Sequence, residues 1–173
     1  MIWHIHKGAH VSRQAEVADS CTIYQGVAVW PYAEICKDVT VGARTKIGRG
    51  AYIGYRVKIG TECEIGRRAI VPEGVELEDR VRIGPCAILR NEKDLRTVSS
   101  GGLNVPDIKP GGRLILVRKG ATIGPSAVIN QGVTIGRYAL VTAGSVLMGD
   151  APDHALMMGN PAEMVGRVCR AGH

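Results

Sequence analysis

Residues 41–66 read VGARTKIGRGAYIGYRVKIGTECEIG, and this stretch decides the fold. Every sixth residue, from Val41 to Ile65, is a branched aliphatic, and each is followed by glycine. A small or β-branched residue often stands two positions before the aliphatic one. The same spacing covers most of the chain, at Val11, Val17, Ile23, Val29, Ile35, Val41, Ile47, Ile53, Ile59, Ile65, Val71, Leu77, Ile83 and Leu89, and again at Val117, Ile123, Ile129, Ile135, Val141 and Leu147.

A period of six residues has a simple physical reading. Six residues supply one short strand and one turn, and three such units close a triangular coil of eighteen residues. Residues one coil apart then stack at the ordinary strand spacing of about 4.8 Å. A single coil cannot bury its apolar side, but stacked coils bury a continuous column. The repeat therefore predicts an all-β chain folded as a parallel β-helix, in which each glycine allows a turn conformation that a Cβ would resist.

The stacking can be checked on the residues that precede each aliphatic, because these should point outward. One column of such residues reads Lys46, Glu64, Arg82, and another contains Lys58 and Glu76. Opposite charges alternate at strand spacing, which cross-strand pairing favours. We interpret these columns as solvated structural ladders.

The repeat is interrupted once, because Leu89 and Val117 are separated by 28 residues, which is not a multiple of six. We predict one domain over 1–173, with coils at about 9–89 and 115–152, one long inserted loop at 90–116, and a short C-terminal cap at 153–173. A long loop in a compact domain is usually functional, so it is expected to cover an active site or embrace a neighbouring subunit, although a tolerated surface insertion is the alternative. The tail is expected to cover the open edge of the last coil.

Composition narrows the class of protein. The chain has 23 glycines, no phenylalanine and a formal charge of +6. Its basic residues are spread along the sequence, which favours small anionic ligands over nucleic acid. Five cysteines without a CxxC pair, and no segment typical of a signal peptide or a membrane span, predict a reduced cytoplasmic protein without a membrane partner.

The five histidines all lie outside the predicted coils: His4, His6 and His10 precede them, and His154 and His173 follow. A zinc site of the carbonic-anhydrase type needs three histidines on the coils, so no metal is predicted, although His4 and His6 share one side of a possible strand. Transfer to a hydroxyl generally uses a histidine base, for which His154 is the remaining candidate. An amine with a pKa of about 8 is partly neutral at cytoplasmic pH and needs no such base, so the absence of histidine from the coils favours an amine over a hydroxyl as the nucleophile of any group transfer.

Four segments and one asparagine carry a resemblance to a known family. They are 75–86 (VELEDRVRIGPC), Asn91, 117–125 (VRKGATIGP), 132–146 (GVTIGRYALVTAGSV) and 159–166 (GNPAEMVG). Over residues 30–166 the chain resembles the nucleotide-sugar N-acetyltransferases, which acetylate the 3-amino group of UDP- or dTDP-linked amino sugars. The resemblance implies that the β-helix is left-handed.

The resemblance also implies site residues. Asn91, at the start of the inserted loop, would be the catalytic residue that orients the sugar amine. Acetyl-CoA would lie in the groove between subunits, with its pantetheine on the backbone at Ala143 and Gly144 and a phosphate at Arg167. These enzymes are homotrimers with each site between two β-helices.

Some positions depart from the family's pattern. Pro31 and Glu34 stand where the family usually has histidine, and Arg67 with Arg68 opens a coil that is asparagine-rich in the family. These changes fall where the sugar nucleotide would be read, so the acceptor stays open. Two further candidates for the CoA phosphates, or else solvated corners, are Arg118 and Arg137.

The sequence thus predicts an acetyl-CoA-dependent N-acetyltransferase that acetylates a nucleotide-linked amino sugar by direct attack in a ternary complex. One alternative is an acyltransferase of the same fold that takes a hydroxyl or a different amine. The other is a non-catalytic β-helix that serves as a scaffold or regulatory subunit.

Overall fold

The computed structural model describes residues 4–91, 98–99, 102–103 and 114–169. Almost every strand has two residues and is followed by a four-residue turn, as the six-residue period predicts. The strands are β1 His4–Ile5, β2 His10–Val11, β3 Glu16–Val17, β4 Thr22–Ile23, β5 Ala28–Val29, β6 Glu34–Ile35, β7 Thr40–Val41, β8 Lys46–Ile47, β9 Tyr52–Ile53, β10 Lys58–Ile59, β11 Glu64–Ile65, β12 Ile70–Val71, β13 Glu76–Leu77, β14 Arg82–Ile83, β15 Ile88–Leu89, β16 Val98–Ser99, β17 Gly102–Leu103, β18 Leu116–Val117, β19 Thr122–Ile123, β20 Val128–Ile129, β21 Thr134–Ile135, β22 Leu140–Val141, β23 Val146–Leu147, β24 Ala155–Gly159 and β25 Ala162–Arg167.

Three parallel sheets form the faces of a triangular prism of seven coils, numbered 1 to 7 from the N-terminus. Face A contains β1, β4, β7, β10, β13, β18 and β21. Face B contains β2, β5, β8, β11, β14, β19, β22, β24 and β25, and face C contains β3, β6, β9, β12, β15, β20 and β23. We name the turns that join successive faces corner AB, corner BC and corner CA. The predicted parallel β-helix is confirmed.

The interior is a column of aliphatic side chains. The largest fully buried ones are Ile23, Ile35, Ile47, Ile53, Ile65, Leu77, Ile83, Leu89, Ile115, Ile123, Ile129 and Ile135. Thr45 is one of two buried polar residues among those described. Its hydroxyl donates to the Gly60 carbonyl at 2.8 Å and accepts from the Cys63 amide at 3.0 Å. The buried hydroxyl is therefore satisfied by hydrogen bonds, as a polar group in an apolar core requires.

The glycine after each aliphatic has a different role from the one predicted. A Cβ on Gly66 would lie 2.4 Å from the Pro85 nitrogen, and one on Gly42 would lie 2.5 Å from the Gly60 carbonyl carbon. These glycines do not have a positive φ. The positive φ falls two residues later, for example at Arg68 with 54°. The conformational interpretation was wrong for these glycines: they are required because the backbone of the next coil approaches too closely for a Cβ.

The predicted charge ladders are confirmed. Glu64 pairs in register with Lys46 on one side and Arg82 on the other, and Lys58 pairs with Glu76. The Arg82 guanidinium lies 3.1 Å from the Glu64 carboxylate. These side chains point to solvent, so the ladders set the stacking register more than they add stability.

The corners carry ion pairs of the same spacing. At corner AB, Glu62 accepts from Arg44 at 2.7 Å and from Arg80 at 2.8 Å, one coil away on each side. The hydrogen bond from Arg44 has the largest effect in lowering the pKa of Glu62, and the hydrogen bond from Arg80 follows. At corner CA, Arg56 pairs with Glu73. Arg44 and Arg80 at corner AB, and Arg56 at corner CA, are thus paired with glutamates of adjacent coils.

The first coil begins earlier than predicted. Strand β1 starts at His4 and pairs with Thr22–Ile23 of the next coil, although the coils were expected from about residue 9. His10 likewise lies in β2, which pairs with Ala28–Val29. The expectation that the N-terminal histidines precede the β-helix was therefore wrong for His4 and His10. The aliphatic at Ile5 continues the period of six, which extends one unit further than the predicted boundary.

The insertion lies at corner CA. The offset between paired residues is 18 throughout the N-terminal coils and rises to 40 between Glu76 and Leu116, so 22 residues are accommodated without a change of register. Leu116–Val117 already forms β18 and Ile115 is buried, so the coil resumes slightly before the predicted end of the loop. Most of the predicted loop lies outside the described residues.

The tail ends the prism as a hairpin. Strand β24 adds to face B parallel to β22, and β25 turns back antiparallel to β24. This hairpin lies within the segment that was predicted to cap the last coil. His154 belongs to this cap: its Nδ1 lies 3.0 Å from the Val168 carbonyl oxygen, and its ring stacks on Tyr138 at 5.4 Å between centroids. The described residues include no helix with the length and apolarity needed to cross a membrane.

Candidate active site

Corner BC is a regular stack of turns along the whole prism. From coil 3 onward, the amide of the third residue of each turn donates to the carbonyl of the second residue in the turn of the preceding coil, as from Arg68 to Arg49 at 3.0 Å and from Cys86 to Arg67 at 2.8 Å. The amide of the middle residue has no such role in the ladder. Proline, which lacks that amide, therefore fits the middle position in three coils, at Pro31, Pro85 and Pro125.

Ala143 and Gly144 stand at the open end of this stack, in coil 7. Both are exposed, and a Cβ on Gly144 would meet nothing within 4 Å. The Gly144 amide is already committed to the Pro125 carbonyl at 2.9 Å. The Ala143 carbonyl, in contrast, accepts no amide from the described residues. The backbone here offers the Ala143 carbonyl and amide to a ligand, not the Gly144 amide.

Asn91 is at corner CA in coil 5. Its neighbour Arg90 still donates its amide to the Ile129 carbonyl of the next coil, at 2.9 Å. Asn91 is half-buried and is the last described residue before the insertion. The regular main-chain pairing thus holds the backbone up to the residue that was predicted to orient the acceptor.

Within one chain, the predicted site residues lie apart. Corner BC and corner CA border face C on its two sides, so Asn91 and the Ala143–Gly144 pair occupy opposite edges of that face, two coils apart. A single prism does not bring them together. A shared site requires the two edges to come from different copies of the chain.

The predicted CoA-phosphate arginines are scattered. Arg167 is exposed on the capping strand β25. Arg118 and Arg137 both lie at corner AB, which does not border face C. The Arg118 Nε is buried without a hydrogen-bond partner among the described residues. The Arg137 backbone amide donates to the Asp153 carboxylate at 2.7 Å. Of the three, only Arg167 belongs to the cap that adjoins the last coil.

Face C has an outer surface that sequence reasoning missed. Its outward column is acidic at the N-terminal end, with Glu16 and Glu34, and aliphatic from coil 4 onward. Ile70 and Ile88 are exposed by 40% and 38%, and the column continues with Val128 and Val146. The signal was available, because these positions are spaced by the same rule as the charge ladders. An apolar row on an outer face indicates a contact surface.

A basic and aromatic cluster occupies the N-terminal half of corner BC. Arg67 and Arg68 of coil 4 lie beside Arg49 of coil 3, and the Arg49 guanidinium sits 4.9 Å from the ring centroid of Tyr32. Trp30 in the same turn as Tyr32 is 55% exposed. Three of the departures from the family's pattern, Pro31, Arg67 and Arg68, thus lie at the corner that also carries Ala143 and Gly144, and the fourth, Glu34, lies on the adjoining face C.

Histidine chemistry is limited in the described part of the chain. His154 is held by the Val168 carbonyl and the Tyr138 ring. Across 4–91 and 114–169 no group of three or more His, Cys, Asp or Glu side chains is arranged to hold a metal ion. A side-chain base of the histidine type is therefore not evident beside Asn91 or Ala143.

Comparison with known proteins agrees with this architecture. The profile described as the hexapeptide repeat of succinyl-transferase matches residues 56–84 and 119–148. The matched stretches show that these parts of the chain carry hexapeptide repeats. Both matched stretches lie in the stacked coils, one on each side of the insertion.

The chain is similar over short stretches to curated acetyltransferases. It is 54% identical over 55 residues to dTDP-3-amino-3,6-dideoxy-alpha-D-galactopyranose 3-N-acetyltransferase of Aneurinibacillus thermoaerophilus, covering 32% of this chain and 29% of that one. It is 36% identical over 87 residues to serine acetyltransferase of Escherichia coli K12, covering 49% and 30%. The matched part thus spans less than a third of the length of these relatives.

Solved structures resemble the chain over nearly its whole length. AntD, an N-acyltransferase from Bacillus cereus solved with dTDP and coenzyme A, superposes with a TM-score of 0.62 at 19% identity, over 96% of this chain and 84% of AntD. The acetyltransferase domain of PglB from Neisseria gonorrhoeae, solved with acetyl coenzyme A, gives 0.52 at 22% identity, over 91% and 58%. At these identities the likeness establishes the fold.

Proposed function

We propose that this protein is an acetyl-CoA-dependent N-acetyltransferase whose acceptor is the amino group of a nucleotide-linked amino sugar. The observation that carries the proposal is the 54% identity with a dTDP-amino-sugar 3-N-acetyltransferase. The exposed corner at Ala143 and Gly144 supports it, since a free carbonyl and amide there fit the amide groups of a pantetheine arm. Such a protein would work where acetyl-CoA is made and used, in the cytoplasm.

Chemically, the transfer needs a neutral amine held against a thioester. The amine nitrogen attacks the carbonyl carbon, the C–N bond forms, the C–S bond breaks, and the sulfur leaves with the proton that the nitrogen gives up. Asn91 would accept a hydrogen bond from the amine and fix its direction of approach. Orientation of this kind and a backbone donor to the oxyanion supply most of the rate. No strong base is required, which fits a site without an available histidine.

The active assembly in this proposal is a homotrimer with composite sites. Asn91 and Ala143 lie on opposite edges of face C, so a head-to-tail contact through face C apposes one edge to the other edge of the next copy. Heterologous contacts of this type close into rings. The aliphatic row of face C, with Ile70 and Ile88, would be buried in that contact. Each of three sites would then take Asn91 from one prism and Ala143 from its neighbour.

A hydroxyl acceptor is the second candidate. It is favoured by the 36% identity over 87 residues with serine acetyltransferase. A hydroxyl is a far weaker nucleophile than an amine at neutral pH and needs a general base. His154 is held by the Val168 carbonyl and the Tyr138 ring. Activity on a hydroxyl acceptor would therefore require either that His154 leaves these contacts or that another residue acts as the base.

The test begins with calorimetric titration of the purified protein with acetyl-CoA, followed by thiol release in the presence of amino-sugar nucleotides and of their hydroxyl counterparts. We expect one acetyl-CoA per chain and thiol release only with the amines. The variant Asn91→Ala should lower kcat by about 100-fold, as misplacing a reactant does, while acetyl-CoA binding is unchanged. Asn130→Ala, at the same corner one coil further, is the matched control.

Several results would reject the assignment. No acetyl-CoA binding by the folded protein would favour the scaffold alternative. Thiol release with hydroxyl acceptors at equal rates would favour the serine acetyltransferase type. Unchanged kcat in Asn91→Ala would remove this residue from the mechanism.

A further inference from the structure

Two side-chain amides occupy the same turn position at corner CA, in neighbouring coils. Leu89 pairs in register with Ile129 across the insertion, so Asn91 and Gln131, each two residues later, hold matching positions in coils 5 and 6. Both side chains are half-buried, and neither forms a hydrogen bond with another described residue. The structure thus places a second amide next to the one that was predicted to orient the acceptor.

The main-chain ladder of corner CA is interrupted between these two residues. In the coil before the insertion, the Gly74 amide donates to the Tyr55 carbonyl of the preceding turn at 2.9 Å. The equivalent bond after the insertion would run from the Gly132 amide to the Asn91 carbonyl, and these two groups are not bonded. The backbone therefore does not close the step between Asn91 and Gln131 as it closes the earlier turns.

This turn position carries no charge in coils 5 to 7. One coil before Asn91 it holds Glu73, whose carboxylate is paired with Arg56. One coil after Gln131 it holds Gly149, where a Cβ would meet nothing within 4 Å. The pair thus offers two neutral carbonyl oxygens beside an open position. A neutral acceptor takes a hydrogen bond from an amine without favouring the charged ammonium form, as a carboxylate would.

The spacing of the coils matches the geometry of an amine. A neutral primary amine has two N–H donors and one lone pair, at roughly tetrahedral angles. Two oxygens that each lie about 2.9 Å from its nitrogen are then about 4.7 Å apart. Equivalent positions one coil apart are separated by about 4.8 Å. Two amides stacked in one column can therefore accept both N–H groups, which leaves the lone pair as the free direction on the nitrogen.

We propose that Gln131 is the second group that orients the acceptor amine: its side-chain carbonyl accepts one N–H while Asn91 accepts the other, and the lone pair faces the acetyl thioester. This inference rests on the proposed function for the reaction. As the C–N bond forms, the nitrogen becomes positively charged, so both hydrogen bonds strengthen in the transition state. When the C–S bond breaks, one of the two protons passes to the sulfur and the amide product keeps the other.

The same arrangement discriminates against a hydroxyl acceptor. A hydroxyl has a single O–H, so it can satisfy Asn91 or Gln131 but not both. The remaining carbonyl would lose its hydrogen bond to water when the acceptor enters, and a half-buried polar group without a partner is costly. Gln131 should therefore contribute to the choice between amine and hydroxyl as well as to the rate.

The experiment compares wild type with Gln131→Met, which keeps the length of the side chain but is only a weak acceptor. Thiol release is measured with an amino-sugar nucleotide and with its hydroxyl counterpart. We expect kcat for the amine to fall about 10- to 100-fold, as for the loss of one hydrogen bond to a developing charge, with an unchanged KM for acetyl-CoA. Any slow release with the hydroxyl counterpart should not fall. The matched control is Gln25→Met, at the same turn position of corner AB, and it should leave these values unchanged.

The variant Gln131→Glu gives a readout that a purely structural role would not produce. It keeps the size and an acceptor oxygen, but its carboxylate favours the ammonium form of the bound amine. The pH dependence of kcat reports the enzyme–substrate complex. Its rising limb should therefore move to higher pH by roughly 1 unit or more, whereas Gln25→Glu should not move it.

Circular dichroism and titration with acetyl-CoA check that each variant folds and binds the coenzyme, and if Gln131→Met unfolds, the pH profile of Gln131→Glu decides alone. The inference is overturned if Gln131→Met keeps the wild-type kcat, if Gln25→Met loses as much, or if Gln131→Glu leaves the pH profile in place. In each of these cases, acetyl transfer by wild type would still uphold the proposed function. A wild type that binds acetyl-CoA but acetylates no amino-sugar nucleotide would reject the proposed function and this inference with it.

Discussion

Gly66 provides a quantitative test of how the coils stack. A Cβ at this position would lie 2.4 Å from the Pro85 nitrogen, 2.6 Å from the Gly84 carbonyl carbon and 2.8 Å from the Pro85 Cα. All three atoms are backbone and cannot rotate away, so Gly66→Ala must push coils 4 and 5 apart. Overpacking costs about 1–3 kcal/mol and occasionally more. Since the obstacle is a backbone fixed by pairing on both sides, we expect about 3 kcal/mol.

Two further glycines separate this cause from backbone conformation. Gly50 has a φ of +66° but room for a Cβ, so Gly50→Ala should lose about 1 kcal/mol through the left-handed conformation alone. Gly149 has neither a positive φ nor any atom within 4 Å, so Gly149→Ala should be nearly neutral. The predicted order of destabilisation is Gly66, Gly50, Gly149.

The assay is thermal unfolding followed by far-UV circular dichroism, with urea midpoints as a check and with protein concentration held fixed, because assembly shifts apparent stability. In a chain of this size 1 kcal/mol moves Tm by about 2–4 °C, so Gly66→Ala should melt roughly 6–12 °C below the wild type. If Gly66→Ala has the same Tm as Gly149→Ala, close approach of the coils is not the reason that position 66 requires glycine, and the reasoning fails.

Three further predictions concern assembly, pH and thiol reactivity. Ile88→Glu should dissociate the proposed trimer in light scattering, whereas Thr122→Glu on face B should not; an intact trimer in both would exclude face C as the contact. The arginine partners lower the pKa of Glu62, so the stabilisation that this carboxylate contributes is present above its ordinary pKa of 4.5 and is lost as pH falls through the folded value. The difference in Tm between wild type and Glu62→Gln should therefore be full at neutral pH and vanish in acid. A difference in Tm that is independent of pH would contradict this prediction. Burial raises the pKa of the Cys63 thiol to about 11, so only about one in a thousand Cys63 side chains is a thiolate at pH 8. A thiol reagent at pH 8 should therefore modify the exposed Cys86 at least 100-fold faster than Cys63. Equal rates of modification would mean that the core opens readily.

The repeat predicted most of the fold because one rule fixes both position and register. Counting by eighteen places Lys46, Glu64 and Arg82 in one column before any coordinates exist. The same count brings Arg44 beside Glu62 at corner AB, although that pair was not recognised. A periodic chain carries its long-range contacts in its local spacing, which is why the prediction succeeded over such distances.

The errors arose where the six-residue period does not determine the distances between atoms of neighbouring coils. The glycine after each aliphatic is explained equally well by conformation or by close approach, and only the position of the neighbouring coil distinguishes the two. Gly66 was therefore assigned the wrong reason although it was placed in the right turn. The boundary at residue 9 was wrong because the count of six was started at Val11, although Ile5 lies one further unit before it.

The candidate site was less predictable than the fold. Asn91 was identified through resemblance, and its relation to Ala143 depends on which edges of face C each occupies. That relation follows from counting strands through the prism, and the proposed sharing of a site between two copies had been expected from the resemblance alone. That Arg67 and Arg68 form no ion pair with a described residue required the structure, since sequence alone does not show which arginines find a glutamate.

The insertion at corner CA leaves and rejoins the prism with the coils above and below it in unbroken register. The main-chain pairing of the coils therefore does not fix the number of residues between Asn91 and Leu114. The inserted segment can therefore change during evolution while the coils keep their register. Lengthening or shortening that segment should accordingly leave the pairing register of the coils on either side unchanged.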